Sequence, residues 1–395
     1  MPRHKHHPAL FIALGCAILV LTGAGLWWYG HPEPGPLTLS RADFRDLPGW
    51  AVNDPRPALA AFRRSCQALK NKPDSDPMGS YGGTLADWRA PCAAAETTLP
   101  SQARAFFERW FEPVAVTAGR LKEGRFTGYY EPEIKGSRSR FGAFQTPVYG
   151  KPDDLIQVDL GAFRPSLAGE RTAGRLDGNR LVPYASRAEI AAHGLKHASV
   201  LFYTDDPIEL FFLHIQGSGR VRFGDGSTAR VAYAAQNGQP YTAIGKTLIA
   251  RGVPKDGMSL QVIRAWLNAH PGDAEAVINS DASYVFFTEE PVGDRALGAK
   301  GAQGMPLTPK ASLAVDTRSH GLGTPFFVAG PNPLGRLFVA QDIGGAIRGV
   351  VRGDVYFGFG SEAEAQAGTM NQPGRFYALL PKPVVQRLVA VGSLP

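Results

Sequence analysis

From Val114 onward the apolar residues come in short alternating runs broken by glycine or proline, and this punctuation restricts the fold more than any other feature. The chain holds 46 Gly and 32 Pro in 395 residues. Such density interrupts helices but suits strands joined by turns. Arg125 to Tyr130, Val200 to Thr204, Ile208 to Gln216, Ser283 to Thr288, Leu337 to Gln341, Val355 to Phe359 and Arg375 to Leu380 read as such runs. Leu210 to Ala234 reads as a hairpin in which LFFLHIQ and ARVAYAA flank a middle whose Gly-Asp-Gly signals a tight turn. Before Val114 the spacing is helical. Asp54-Pro55 opens a helix carrying Leu59, Phe62, Cys66 and Leu69, and a second lies around Ser101 with Phe106, Phe107, Trp110 and Phe111. Helical signals return at the Ser186/Glu189 capping-box pair and at Ser259, whose helix is expected to stop at His270-Pro271-Gly272. Helices, strands, helices, strands is the order of a β-rich fold with a second β domain inserted or appended.

Ala9 to Trp28 carries no charge and follows Arg3 and Lys5, a pattern long enough to span a bilayer with its basic flank in the cytoplasm. The expectation is a chain exported to the periplasm, anchored by this segment or released if a peptidase cuts near Ala24. Cys16 sits in the middle of the run, which makes a poor lipoprotein signal. In an oxidising compartment the remaining pair, Cys66 and Cys92, has the opportunity to form a disulfide, worth about 3 kcal/mol; two separate buried thiols are the alternative.

The net charge of +7 is spread along the chain without a dense basic block beyond the extreme N-terminus, which argues against a nucleic-acid partner. It would draw the protein to an anionic polymer such as peptidoglycan, with carboxylates on its stem peptides; a solvated basic surface is the equal alternative. The nine histidines form no HExxH or comparable cluster, so no metal or other cofactor is implied.

Three segments combine an aspartate with glycines: AVDTRSHGLGTP around Asp316, AQDIGGAIRG around Asp342, and GDVYFGFG around Asp354. Any one alone is what an ordinary turn looks like, but three between Ala314 and Gly360, two of them after apolar strands, make a site as plausible as turns. Asp342-Ile343-Gly344 invites comparison with aspartic proteases. That chemistry needs a matching Asp-Thr/Ser-Gly, whereas Asp316 is followed by Thr317-Arg318.

Taken in order, TGYYEP (Thr127 to Pro132), PVY (Pro147 to Tyr149), LHIQGSG (Leu213 to Gly219), YTAIGK (Tyr241 to Lys246), AQDIGGAI and GDVYFGFG resemble the MltA family of lytic murein transglycosylases, including its three-aspartate 3D domain. The resemblance implies a mainly β fold with helices: a six-stranded double-psi β-barrel made from discontinuous segments, plus an inserted smaller β domain. The expected division is residues 1–36 for flank, anchor and linker, 37–132 and 279–395 for the barrel, and 133–278 for the insert. It further implies cleavage of glycan strands with Asp354 as the catalytic acid and base, Asp342 and Asp316 supporting it, and Thr127, Gly128, Tyr129, Gln216, Ser218, Tyr233 and Asn237 lining the substrate groove. Glu131, a titratable residue in TGYYEP, is not expected to catalyse. Double-psi barrels also bind polysaccharide without cutting it, so a non-catalytic wall-binding module is the competing class.

Overall fold

A computed structural model describes residues 35–167 and 170–394; the apolar run expected to cross the membrane lies outside them. Among the described residues no helix is long and apolar enough to span a bilayer.

The first strand, β1 (Leu37–Arg41), leads into three helices, α1 (Arg56–Leu69), α2 (Leu85–Thr97) and α3 (Ala103–Trp110). The helical spacing read from the sequence holds: Leu59, Phe62, Cys66 and Leu69 are all buried on α1. Thr84 and Asp87 form a capping box at the start of α2, and Cys92 on that helix is disulfide-bonded to Cys66. Phe111 departs from expectation. It begins strand β2 (Phe111–Ala118), where its buried ring still packs on Phe62, Phe106 and Phe107.

After β2 comes β3 (Gly124–Glu131), and the chain then leaves for a long excursion. That excursion comprises β4 (Glu133–Gly136), β5 (Thr146–Tyr149), β6 (Ile156–Asp159), β7 (Arg171–Asp177), β8 (Arg180–Pro183), α4 (Arg187–His193), β9 (Val200–Thr204), α5 (Pro207–Gln216), β10 (Gly219–Phe223), β11 (Thr228–Gln236), α6 (Ile244–Ala250), α7 (Leu260–Ala269), α8 (Pro271–Ile278) and β12 (Val285–Glu290). Its main sheet runs β12-β11-β10-β4, accompanied by the pair β5-β9 and the three-stranded sheet β6-β7-β8. It has apolar clusters of its own, one around Ile134, Phe202, Val231 and Phe287.

Two expectations change here. LFFLHIQ is helix α5, not the first arm of a hairpin. Asp206 caps it by accepting from the Ile208 and Glu209 amides at 2.9 and 3.0 Å, Pro207 occupies its first turn, and Gly217 ends it at φ +77°. The hairpin is β10-β11, closed by the Gly-Asp-Gly turn. The insert also extends past residue 278. Strand β12 pairs with β11, Phe287 opposite Tyr233, so the chain returns to the first domain only after Glu290. The helix opened by Ser259, α7, stops at His270-Pro271 as expected, and Pro271 also starts α8, where its missing N–H costs nothing.

The C-terminal part supplies β13 (Ser312–Ala314), β14 (Pro325–Ala329), β15 (Arg336–Asp342), β16 (Arg352–Phe359), α9 (Gly360–Thr369), β17 (Asn371–Pro381) and α10 (Lys382–Ala390). Six strands close a ring, β3-β17-β14-β15-β13-β16 and back to β3, with β2 and β1 added beside β17. Closure depends on the 11 residues of β17: Asn371 to Gly374 pair with β3, while Phe376 to Pro381 pair with β2. Phe126, Phe326, Phe338, Leu313, Val355 and Phe376 are fully or almost fully buried in the barrel's core.

Candidate functional site

The site grows from two neighbouring parallel strands. In the register of β3 with β16, Arg125 lies opposite Arg352, Thr127 opposite Asp354, and Tyr129 opposite Tyr356. Side chains two apart on a strand share a face, so these pairs form three successive rungs on one surface, with Phe126, Gly128 and Tyr130 on the other. Asp354 also pairs with Ala314 of β13, whose other neighbour across the sheet is Asp342. The two aspartates therefore flank one residue, their Cα atoms two strand spacings apart, about 10 Å.

Asp354 is half-buried and accepts a 2.6 Å hydrogen bond from Thr127 Oγ1 at its Oδ1. The Thr127 oxygen in turn accepts from Arg352 Nη2 at 2.8 Å, which leaves the hydroxyl proton pointing at the carboxyl. Burial raises the Asp354 carboxyl above the ordinary carboxylate range, while the Thr127 bond and the Arg352 charge pull it down and the Asp342 charge pushes it up. Asp342 accepts from the Ala302 and Ile343 amides, both at 2.9 Å, and from Tyr129 Oη at 2.8 Å. It too is raised, by burial. Burial and the Asp342 charge keep the Tyr129 phenol neutral, so it remains a donor.

Asp316 behaves differently. It is 3% exposed, and burial alone would raise it, but the Arg318 guanidinium and the Gly349 and Arg318 amides hold its carboxyl down to about 2. An aspartate so strongly ionised ties two loops together and cannot serve as an acid near neutrality.

Of the residues expected to line a groove, Thr127 and Tyr129 touch the two raised carboxyls. Gln216 reaches across from α5, its Oε1 accepting from the Tyr130 amide at 3.0 Å, with Ser218 half-buried two residues on. Tyr233 is 49% exposed on β11. Two expectations are corrected. Gly128 is on the wrong face and serves packing: a Cβ there would lie 2.6 Å from the Phe357 ring and 2.9 Å from Ala367 Cα. Asn237 is fully buried, its amide donating to Ala185 O and Ala282 O and its Oδ1 accepting from the Tyr284 amide, so it braces the insert from within.

Glu131, at the end of β3, is fully buried and is the centre of a cluster that sequence reasoning missed. Its Oε2 lies 3.4 Å from both Arg220 Nε on β10 and Arg230 Nε on β11; its Oε1 accepts from Tyr356 Oη at 3.1 Å and from the Ala299 amide. This carboxylate fastens the inserted sheet to the barrel directly below the rung of Tyr129 and Tyr356, whose ring centroids are 5.3 Å apart. A second tie joins Arg264 of α7 to Glu209 of α5 at 2.7 Å and to Glu364 of α9.

A closed six-stranded barrel interrupted by a sheet domain, with two desolvated aspartates flanking one barrel strand, defines a class of two-domain carboxylate-bearing β proteins. Residues 125–288 match the MltA specific insert domain and residues 311–380 match the 3D domain. The chain belongs to the MltA family. It is 36% identical over 272 residues to membrane-bound lytic murein transglycosylase A of Escherichia coli (strain K12), a match spanning 66% of each chain. It is 34% identical over 280 residues to the protein of that name in Vibrio cholerae, covering 67% of this chain and 68% of that one. Among solved structures it resembles a membrane-bound lytic murein transglycosylase from Agrobacterium tumefaciens, with a TM-score of 0.78, 33% identity and coverage of 89% of this chain and 99% of that one. It also resembles E. coli MltA with bound chitohexaose, with a TM-score of 0.62, 30% identity and coverage of 88% and 95%.

Proposed function

We propose that the protein is a lytic transglycosylase that cleaves the β-1,4 bond between N-acetylmuramic acid and N-acetylglucosamine in peptidoglycan, with Asp354 as its single acid and base. The observation that carries this reading is the Thr127–Asp354 pair: a carboxyl raised by burial, yet given a hydrogen-bond donor for its ionised form. Protonated, Asp354 donates to the glycosidic oxygen as the bond to C1 breaks. Ionised, it accepts the proton of the muramyl C6 hydroxyl as that oxygen bonds to C1. The product end is a 1,6-anhydro sugar, the proton count balances, and no water is consumed. A side chain that gives and then takes a proton needs a pKa drawn toward the working pH, which the opposed effects at Asp354 supply.

Asp342 holds Tyr129 and raises Asp354 by its charge; Asp316 holds the loop before β16. Thr127, Tyr129, Gln216, Ser218 and Tyr233 contact the glycan, a role supported by their position on the rungs or on the facing insert and by the chitohexaose bound in the E. coli relative. Three finer features belong to the same proposal. The ring is a double-psi barrel, which its two parallel pairs, β3 with β16 and β13 with β15, support. Residues 9–28 anchor the chain in a membrane, supported by their apolar run and by relatives named as membrane-bound. The catalytic domains then lie in the periplasm. The test is digestion of purified murein sacculi with the parent protein and Asp354→Asn, both checked for native fold. The parent releases soluble fragments, and the variant is slower by about 10²–10⁴-fold. Equal rates would sink the assignment, and an inert parent would favour a binding module.

A further inference from the structure

The rung above Thr127 and Asp354 is a pair of arginines. Arg125 and Arg352 are direct neighbours across parallel strands, on the face that carries Asp354 and one rung away from it, about 7 Å along the strand. Like charges set opposite each other repel, and proteins usually offset them with a nearby carboxylate. Among the described residues neither guanidinium has a carboxylate within 4.0 Å. Glu123, two residues before Arg125, is occupied by Arg375 at 3.2 Å. Arg352 is largely spent on the protein, donating to Arg125 O, Gly353 O and Thr127 Oγ1. Arg125 is not. Its Nε is held by Asn371 Oδ1 at 2.5 Å, which fixes the plane of an exposed guanidinium whose two terminal nitrogens have no protein acceptor among the described residues. An oriented fork with four unused N–H donors beside a second positive charge is the arrangement that receives a carboxylate through two parallel hydrogen bonds.

We propose that Arg125, backed by Arg352, is a subsite for a carboxylate of the stem peptide on the muramyl residue undergoing cleavage. This rests on the glycan-cleaving reading above. The peptide hangs from the same sugar whose C1–O bond breaks, so an anchor one rung from Asp354 sets that sugar's position against the acid. The subsite makes the enzyme prefer peptide-bearing strands over naked glycan.

The test compares uncross-linked glycan strands with the same strands stripped of peptide by an amidase. The parent has the higher kcat/KM on peptide-bearing strands. In Arg125→Gln the ratio between the two substrates falls about tenfold, mostly through KM, and Arg125→Lys recovers part of it. A ratio that stays constant while both rates fall would assign Arg125 a structural role and overturn the subsite. Calorimetric titration with N-acetylmuramyl dipeptide and its fully amidated counterpart reads the subsite without catalysis. The free acid binds the parent more tightly, and Arg125→Gln narrows that difference; equal binding of both compounds to the parent overturns the proposal even where the strands are cut. A parent that cuts neither strand but discriminates the two dipeptides would defeat the catalytic reading and leave the anion site standing.

Discussion

Thr127 Oγ1 is 2.6 Å from Asp354 Oδ1 and 2.8 Å from Arg352 Nη2, so one hydroxyl links a cation to the carboxyl proposed to do the chemistry. Because Thr127 and Asp354 are register partners on adjacent parallel strands, the link is set by the sheet and not by a loop. It favours the ionised carboxyl, against burial, which favours the protonated one.

Thr127→Val removes that donor at nearly constant volume. The reaction begins with Asp354 protonated, so kcat/KM falls as pH rises through its pKa. Loss of a bond that stabilises the carboxylate raises the pKa, and the alkaline limb of the profile moves to higher pH. On the low-pH plateau, where Asp354 is fully protonated at the start, the rate drops about tenfold because the carboxylate formed as the first proton leaves has lost its partner. A pH–rate profile on solubilised glycan measures both effects; a limb that moves down would contradict the arrangement.

Asp342→Asn acts in the opposite direction. The charge of Asp342 raises Asp354, and its removal lets the Asp354 pKa fall. The alkaline limb then moves to lower pH, and less of the enzyme is in the starting protonation state at neutrality. If the two variants shift the profile the same way, electrostatic coupling between the aspartates is not what tunes Asp354.

Glu131→Gln tests how the domains are joined. The substitution leaves Arg220 and Arg230 buried at 5% exposure each without their carboxylate. Stranding buried charge costs about 3–5 kcal/mol, far more than the surface pairs elsewhere on this chain. Denaturant unfolding of the described domains checks it, and a loss below about 1 kcal/mol would show that the cluster does not hold the insert.

Several barrel strands were legible as short apolar runs bounded by glycine or proline: Arg125 to Tyr130 and Arg375 to Leu380 lie within β3 and β17. The error at LFFLHIQ has a local cause. A run apolar on every side has no period to read, and the decisive signals were its ends, Asp206-Pro207 and Gly217. The insert's true length was hidden because β12 looks like any buried strand until its pairing with β11 is known. At the site, three aspartates were equivalent by composition, and only geometry separates Asp316, clamped by Arg318, from the raised Asp342 and Asp354. Glu131, Arg220 and Arg230 are 89 and 99 residues apart along the chain, so no local pattern joins them. The rung of Arg125 and Arg352 was likewise invisible without the register.

The central claim is that one carboxyl at Asp354 directs the muramyl C6 oxygen, and not water, onto C1. Mass spectrometry of the new ends released from purified sacculi tests it directly, since the two outcomes differ by one molecule of water. The expected result is 1,6-anhydromuramyl ends throughout. Reducing ends carrying oxygen from labelled water would contradict it and make the protein a hydrolase.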